Sequence, residues 1–130
     1  MKKIILTAVC IVFLAAQSHA QCTGTGTINF QRWNNITGSA VANLTSNINY
    51  PNNPSSTGTR TTFEMQTNLG SNLGIRMYGY ICPPTTGNYI FWIASDASGE
   101  LWISTNSSPA NKIRRAYNTS STNSRQWNKF

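Results

Sequence analysis

Acidic and histidine side chains are scarce in this sequence. Its 130 residues include three Asp or Glu residues against ten Lys or Arg, and a single histidine. The acids are Glu64, Asp96 and Glu100, and the histidine is His19. These few groups offer no convincing ligand set for zinc, and no imidazole in the body of the chain to activate a serine or cysteine. We therefore expect no catalytic activity from the chain by itself.

Long apolar runs are also scarce, and the clearest one lies at the start of the chain. Two lysines precede the mainly apolar stretch Ile4–Ala16, which is too short for a stable bilayer anchor. Ser18 and Ala20 place small residues three and one positions before a cleavage point. Residues 1–20 are therefore predicted to be a signal peptide. The mature chain would be secreted, periplasmic or at the cell surface, without membrane insertion.

Cysteine is rare as well, and two of the three cysteines lie outside the predicted signal peptide. Cys22 and Cys82 would meet an oxidising compartment after export, so a disulfide bond between them is one hypothesis. Two free thiols are the alternative, because a sequence does not give the distance between two residues. The sequence alone does not decide between the disulfide bond and the free thiols.

Positive charge predominates, which raises the question of an anionic partner. Removing Lys2 and Lys3 with the signal peptide lowers the net charge from +7 to +5. Lys112, Arg114 and Arg115 form a cluster among the remaining bases. No recognised nucleic-acid motif accompanies them, so we interpret this charge as a solvated positive edge. Nucleic acid is not expected as a partner.

Aromatic and β-branched residues are concentrated between residues 79 and 104. Two prolines and Gly87 predict a turn, and Tyr89–Ala94 then has the composition of a strand that is apolar on both faces. Ser95–Gly99 predicts a polar turn, and Glu100–Ser104 predicts the next strand. We expect Trp92 to be a core residue of this central strand.

Shorter elements are predicted on both sides of this stretch. Val41–Ile48 has apolar residues at helical spacing, and Thr61–Met65 alternates like a half-exposed strand. Ile75–Ile81 and Lys112–Tyr117 are further predicted strands. Trp33 and Trp102 are expected to be packed, whereas Trp127 is the tryptophan most expected to be exposed. The pattern predicts one all-β domain.

Several ordered motifs resemble a known family. The residues Gly79-Tyr80-Ile81 are followed by Pro-Pro-x-x-Gly-x-Tyr-x-Phe-x-Ile and then by Ala-Ser-Asp-x-x-x-Glu-Leu-Trp-Ile-Ser. Phe30–Gly38, Ser108–Ile113 and Arg125–Trp127 extend the agreement. Together they closely resemble the protective-antigen-type module, the PA-fourteen domain, over residues 24–130. The resemblance implies a single antiparallel β-barrel or sandwich. Family members continue past the Arg-Gln-Trp landmark, so we expect a domain that is incomplete at its C-terminus.

The resemblance also implies a ligand. Members occur in glycan-active enzymes, adhesins and flocculins, and their usual inferred role is glycan binding. In the flocculin-type lectins two adjacent aspartates hold a calcium ion, which sugar hydroxyls also ligate. Asp96 stands at the first of these positions here, but Ala97 stands at the second. Calcium takes about six to eight oxygen ligands, so we expect either no cofactor or weakly bound calcium.

Three residues are the candidates for ligand binding: Asp96, Glu100 and Trp127. Asp96 either ligates calcium or sugar, or bonds its own backbone as a turn residue. Glu100 could pair with Asp96 as acid and base, although three acids in a whole domain argue against hydrolysis. The ring of Trp127 could stack on a sugar.

The resemblance therefore implies a secreted or cell-surface carbohydrate-binding module without catalysis, with glycans or polysaccharide as its partner. The alternatives are a structural or protein-interaction module of an adhesin or extracellular enzyme, and a fragment without function. Further domains of a longer protein are possible neighbours. Fold alone does not choose among these functions.

Overall fold

The computed structural model describes residues 26–129, and the predicted signal peptide and Cys22 lie outside them. The elements are β1 (Ile28–Asn34), α1 (Val41–Thr45), β2 (Ser56–Arg60), β3 (Leu73–Tyr78), β4 (Gly99–Ser104), one 3-10 turn (Pro109–Asn111) and β5 (Lys112–Asn118). The strands form a three-stranded sheet in the order β2–β1–β3 and a two-stranded sheet of β4 and β5. All pairings are antiparallel. The predicted all-β antiparallel class is confirmed, as two open sheets rather than a closed barrel within residues 26–129.

The three-stranded sheet contains glycines where side chains from neighbouring elements lie close. Gly58 pairs with Phe30, and a Cβ at Gly58 would lie 2.7 Å from the Phe30 ring. Gly74 pairs with Trp33, and a Cβ there would lie 2.5 Å from Cδ1 of Leu44. The absent side chains therefore let the Phe30 ring and α1 pack directly against the sheet.

A small apolar core lies beside β1. Trp33 is 1% exposed and packs with the buried side chains of Ile36 and Leu44. Its indole N–H donates to the carbonyl of Asn49 at 3.0 Å, and its ring centroid lies 5.1 Å from that of Tyr50. Burial of a tryptophan is favourable here because its one polar atom has a partner. The expectation that Trp33 is packed is confirmed.

The predicted helix is present but short. It spans Val41–Thr45 and buries Leu44 against the core. The side-chain oxygen of Asn43 accepts a hydrogen bond from the backbone N–H of Ala40 at 2.9 Å, which satisfies one of the free donors at the start of the helix. Ile48, which continued the apolar pattern, lies beyond the helix and is exposed.

Two strand predictions are wrong. Residues 61–65 form no strand, and the neighbouring segment Ser56–Arg60 pairs with β1 instead. Tyr89–Ala94 has no ladder partner among residues 26–129, so it is not a strand, and Trp92 is 59% exposed rather than part of the core. A favourable composition does not make a strand when no neighbouring backbone supplies hydrogen bonds. Trp102 is also more exposed than expected.

Two further observations bear on the predicted export of the chain and on its cysteines. No helix within residues 26–129 is long and apolar enough to cross a membrane. Cys82 is disulfide-bonded. Its predicted partner, Cys22, lies outside the described residues, so the Cys22–Cys82 pairing stays a prediction.

Candidate functional site

A polar network holds the loop that precedes β4. Asn118, at the end of β5, is 4% exposed, and its amide donates to the carbonyls of Ala97 at 2.9 Å and Ser120 at 2.7 Å. The Ser95 hydroxyl lies 2.8 Å from the Ala97 carbonyl and 2.9 Å from Oδ1 of Asn118, and it donates its one proton to either acceptor. Ser95 and Thr122 also bond through their backbones at 2.8 Å. The loop is therefore positioned by buried polar groups.

Asp96 lies on this loop with an exposed side chain. Its carboxylate makes no hydrogen bond or ion pair within residues 26–129, so the expected bond to its own backbone is not formed. The hydroxyl of Ser95 has that role instead, through its contact with the Ala97 carbonyl. Ala97 has a φ of +143°, a region rare for residues with a Cβ, and the bonds from Asn118 and Ser95 hold it there.

The loop does not fit a calcium ion. Asp96 contributes one carboxylate, and the adjacent side chain of Ala97 has no oxygen. Across residues 26–129, no group of three or more His, Cys, Asp or Glu side chains comes together. Calcium prefers about six to eight oxygens, several of them from carboxylates. We therefore derive no role for Asp96 through a metal.

Glu100 is engaged by neighbouring side chains. One carboxylate oxygen accepts from the indole N–H of Trp102 at 2.9 Å, and the other accepts from the Arg114 guanidinium at 2.8 Å. Arg114 also lies over the ring of Tyr117, 4.5 Å from its centroid. Glu100 therefore forms part of a surface cluster on β4 and β5, and the structure shows no bond between it and Asp96.

Trp127 lines a cleft of about 260 Å³, which we call the aromatic cleft. Among the residues that line it are Phe91, Trp92, Arg115, Tyr117, Trp127 and Lys129. Trp92 and Trp127 are 59% and 51% exposed, so solvent reaches much of both rings. A neighbouring cleft of about 370 Å³ is lined by Tyr89, Ile90, Phe91, Ile103 and Arg115. Phe91 and Arg115 line both clefts.

A β-bulge places Arg115 between these clefts. Trp102 of β4 pairs with Arg114, but Leu101 pairs with Ala116, so Arg115 is an extra residue without a partner in the ladder. Bulges redirect side chains and often occur beside binding sites. Arg114 consequently binds Glu100, while the adjacent Arg115 lines the clefts.

Sequence reasoning identified one residue of the aromatic cleft, Trp127, as a ligand candidate. It missed Arg115, which it placed in a solvated cluster, because nothing in the sequence marks the bulge. It also missed Asn118, which looked like the start of a polar loop. The Asn118-Thr119-Ser120 run is typical of exposed turns, and burial of this one asparagine depends on the chain segments around it.

An exposed ion pair connects the end of the chain to the loop after β2. Arg125 contacts Glu64 at 2.8 Å. The hydrogen bond from Arg125 lowers the pKa of Glu64 below its ordinary value of 4.5. Farther along, the backbone N–H of Ser98 donates to the carbonyl of Ser39 at 3.0 Å. These two polar contacts join residues 26–78 to residues 79–129.

The fold and the clefts define a small antiparallel β-domain with an open aromatic surface. The family model of the PA14 domain matches residues 32–125. The chain therefore belongs to the PA14 domain family, which confirms the protective-antigen-type resemblance of its motifs.

A mouse protein is similar to part of the chain. The mouse protein N-acetyl-beta-glucosaminyl-glycoprotein 4-beta-N-acetylgalactosaminyltransferase 1 is 33% identical over 85 residues, which are 65% of this chain and 8% of that protein. The chain thus corresponds to a small part of this relative. No solved structure matches significantly.

Proposed function

We propose that this chain is a carbohydrate-binding module that acts outside the cell or at its surface and has no catalytic activity of its own. The observation that carries the proposal is the aromatic cleft, in which the exposed rings of Trp92 and Trp127 accompany Tyr117. The rings offer apolar faces on which the C–H faces of a sugar ring can stack.

Polar groups stand among the rings of the cleft, as sugar hydroxyls require. Arg115, Gln126 and Lys129 lie in its lining with the aromatic residues. Small-ligand sites combine apolar side chains with a few polar groups that orient the ligand. We expect the cleft of about 260 Å³ to accept one part of a longer saccharide, and the adjacent cleft of about 370 Å³ to accept a neighbouring sugar.

The acidic residues support binding rather than hydrolysis. A glycosidase needs two carboxylates that face one another across the scissile bond. Glu64 and Glu100 are each held by an arginine, and neither lines the aromatic cleft. Asp96 does not line it either. The relative, whose name describes transfer of a sugar to a glycoprotein, agrees with a carbohydrate-related role but is matched over a small part of its length.

A glycan array tests the proposal. The protein, expressed from the full-length sequence and purified, is applied with calcium and again with chelator. We expect binding to a defined set of glycans that chelator does not abolish. Trp127→Ala should weaken that binding at least about tenfold, because a central aromatic contact is lost.

Trp102→Ala is the matched control, since Trp102 is an exposed tryptophan outside both clefts. It should leave glycan affinity within about twofold of the parent value. Absence of any bound glycan in both conditions would reject the proposal. Equal losses in the two tryptophan variants would reject the cleft as the binding site.

A second candidate is a protein-interaction module. It is favoured by exposed aliphatic side chains, which suit a protein surface better than a sugar. Ile90 is 74% exposed, and Ile81 and Ile113 are also largely exposed. Crosslinking in the native host would recover one defined protein partner if this candidate is correct. Replacement of Ile81 by Ser should then abolish the crosslink and leave glycan binding intact, because Ile81 lines neither cleft.

A further inference from the structure

We propose that the saccharide bound by this domain is acidic, and that Arg115 holds its carboxylate or sulfate group between the two clefts. The inference rests on the carbohydrate-binding function proposed above and specifies the chemistry of the ligand. It starts from the distribution of charge over the described surface.

The acidic side chains of the domain leave both clefts without negative charge. Glu64 is paired with Arg125 and Glu100 with Arg114, each at 2.8 Å. Asp96, the remaining acid, lines neither cleft. A concave surface whose lining within residues 26–129 includes cations and no acidic side chain concentrates anions from solution.

Arg115 is the cation best placed to bind such an anion. It is exposed and lines both clefts, and its side chain makes no hydrogen bond or ion pair within residues 26–129. Arg114 differs from its neighbour, because its guanidinium is committed to Glu100 and to the Tyr117 ring. The bulge therefore separates two adjacent arginines into one that is bound within the domain and one that faces the ligand surface.

The guanidinium group suits one kind of anion especially well. Its parallel N–H donors match two oxygens of a carboxylate or sulfate, so it can bind both at once. Lys129 lines the same cleft, and its ammonium group donates to the Ser121 carbonyl.

The surface fits an acidic polysaccharide better than a nucleic acid. Nucleic-acid binding draws on a series of basic residues along the phosphate backbone, commonly about six to ten contacts. Here the two clefts together contain Arg115 and Lys129 as their basic residues. Aromatic rings with so few basic residues suit the sugar units of a saccharide better than a series of phosphates.

Two matched polymer pairs test the role of ligand charge. Polygalacturonate and its fully methyl-esterified form compare a carboxylate with a neutral ester on one backbone, and dextran sulfate and dextran do so for sulfate. We expect the charged member of at least one pair to bind at least about tenfold more tightly, with affinity falling as NaCl rises. The pair that shows the difference identifies the anionic group.

Arg115→Gln tests whether Arg115 binds the charged group of the polymer, and Lys112→Gln is its control. Lys112 lies on the same strand, is exposed and lines neither cleft, so both variants lose one positive charge. Arg115→Gln should weaken binding of the charged polymer about tenfold or more, while Lys112→Gln changes it less than about twofold. Both should unfold at the parent temperature.

The remaining outcomes separate the two proposals. Equal binding of charged and neutral polymers would overturn the acidic ligand and leave the carbohydrate-binding function standing. If the protein binds no polymer and no glycan, both proposals are overturned. Equal losses in the Arg115 and Lys112 variants would show diffuse electrostatic attraction and overturn the role of Arg115. Tighter, Arg115-dependent binding of a single-stranded DNA oligonucleotide would overturn the saccharide in favour of nucleic acid.

Discussion

The two halves of the domain are held together by different kinds of interaction. In residues 26–78 the most buried side chains are apolar, namely Trp33, Ile36 and Leu44. In residues 79–129 the buried side chain is the polar Asn118, while Trp92, Trp102 and Trp127 are exposed. The half with the more aromatic sequence therefore has the smaller apolar core.

This difference shows that apolar composition and burial are separate properties. Trp33 is buried because β1, β3 and α1 surround it, and its N–H has a partner. Trp92 has a more apolar sequence around it than Trp33, but Tyr89–Ala94 pairs with no other strand in the described part of the chain. Hydrophobic stabilisation depends on area removed from water, which requires a second surface. The proposed ligand binding depends on these uncovered aromatic rings of the second half.

Removal of the core tryptophan should have the largest effect on stability. Trp33→Ala deletes a side chain that is fully buried, and we expect it to lower the free energy of unfolding by about 3–5 kcal/mol. Trp102→Ala, in the other half, should cost about 1 kcal/mol or less because the ring is half exposed. Urea denaturation measures both. Similar costs for the two variants would contradict the comparison between the halves.

Replacement of Asn118 tests whether the second half depends on its polar network. Asn118→Leu keeps a similar volume but removes the amide that donates to the Ala97 and Ser120 carbonyls. We expect a loss of about 2–3 kcal/mol. Hydrogen exchange should show lost protection in β4 and β5 and retained protection in β1.

Asn111→Leu is the control for that substitution, since its amide makes one exposed contact, with Asn106. It should change stability by about 0.5 kcal/mol or less. If both variants are equally stable, the buried network contributes nothing specific. If Asn118→Leu also removes protection from β1, the two halves unfold as one unit.

Two glycine substitutions compare the halves at positions of equal crowding. A Cβ on Gly74 would lie 2.5 Å from Leu44, and one on Gly99 would lie 2.6 Å from the Ser95 hydroxyl. We expect each change to alanine to cost about 1–2 kcal/mol in thermal unfolding. Leu44→Val should partly relieve Gly74→Ala, because the shorter side chain lacks the crowded Cδ methyl groups, and should not relieve Gly99→Ala. Equal relief of both would show that the crowding is not local.

Loss of the Glu64–Arg125 ion pair between the halves should have the smallest effect on stability. The size of this effect depends on pH. Because Arg125 lowers the pKa of Glu64 in the folded state, the pair contributes stability above the ordinary value of 4.5. That contribution is lost as the pH falls below 4.5 and through the lowered folded pKa. Glu64→Gln should flatten the pH dependence of the unfolding midpoint in this window.

Arg125→Gln provides the second arm of this test. It removes the same pair, so it should flatten the same part of the profile, and the double variant should add nothing further. High salt should reduce the difference between parent and variants, because the pair is exposed. An unchanged profile in either single variant would show that the pair does not link stability to pH.

The amino-acid sequence alone predicted the all-β class, the family, the short helix at Val41, the strands at Glu100–Ser104 and Lys112–Tyr117, and the burial of Trp33. These features depend on local pattern, turn residues and ordered motifs, which are properties of short segments. The sequence also selected Trp127 as an exposed aromatic residue. It did not identify the rest of the aromatic cleft, because Trp92 and Tyr117 are far apart along the chain.

Tertiary structure decided which apolar segments are covered and which polar groups are buried. Tyr89–Ala94 has a strand composition but lacks a described neighbour, and Asn118 has a loop composition but accepts and donates bonds in a buried position. The role of Arg115 follows from one extra residue in β5, which no composition reveals. Burial and side-chain direction depend on what lies opposite each residue, and that is known only when distant segments are brought together.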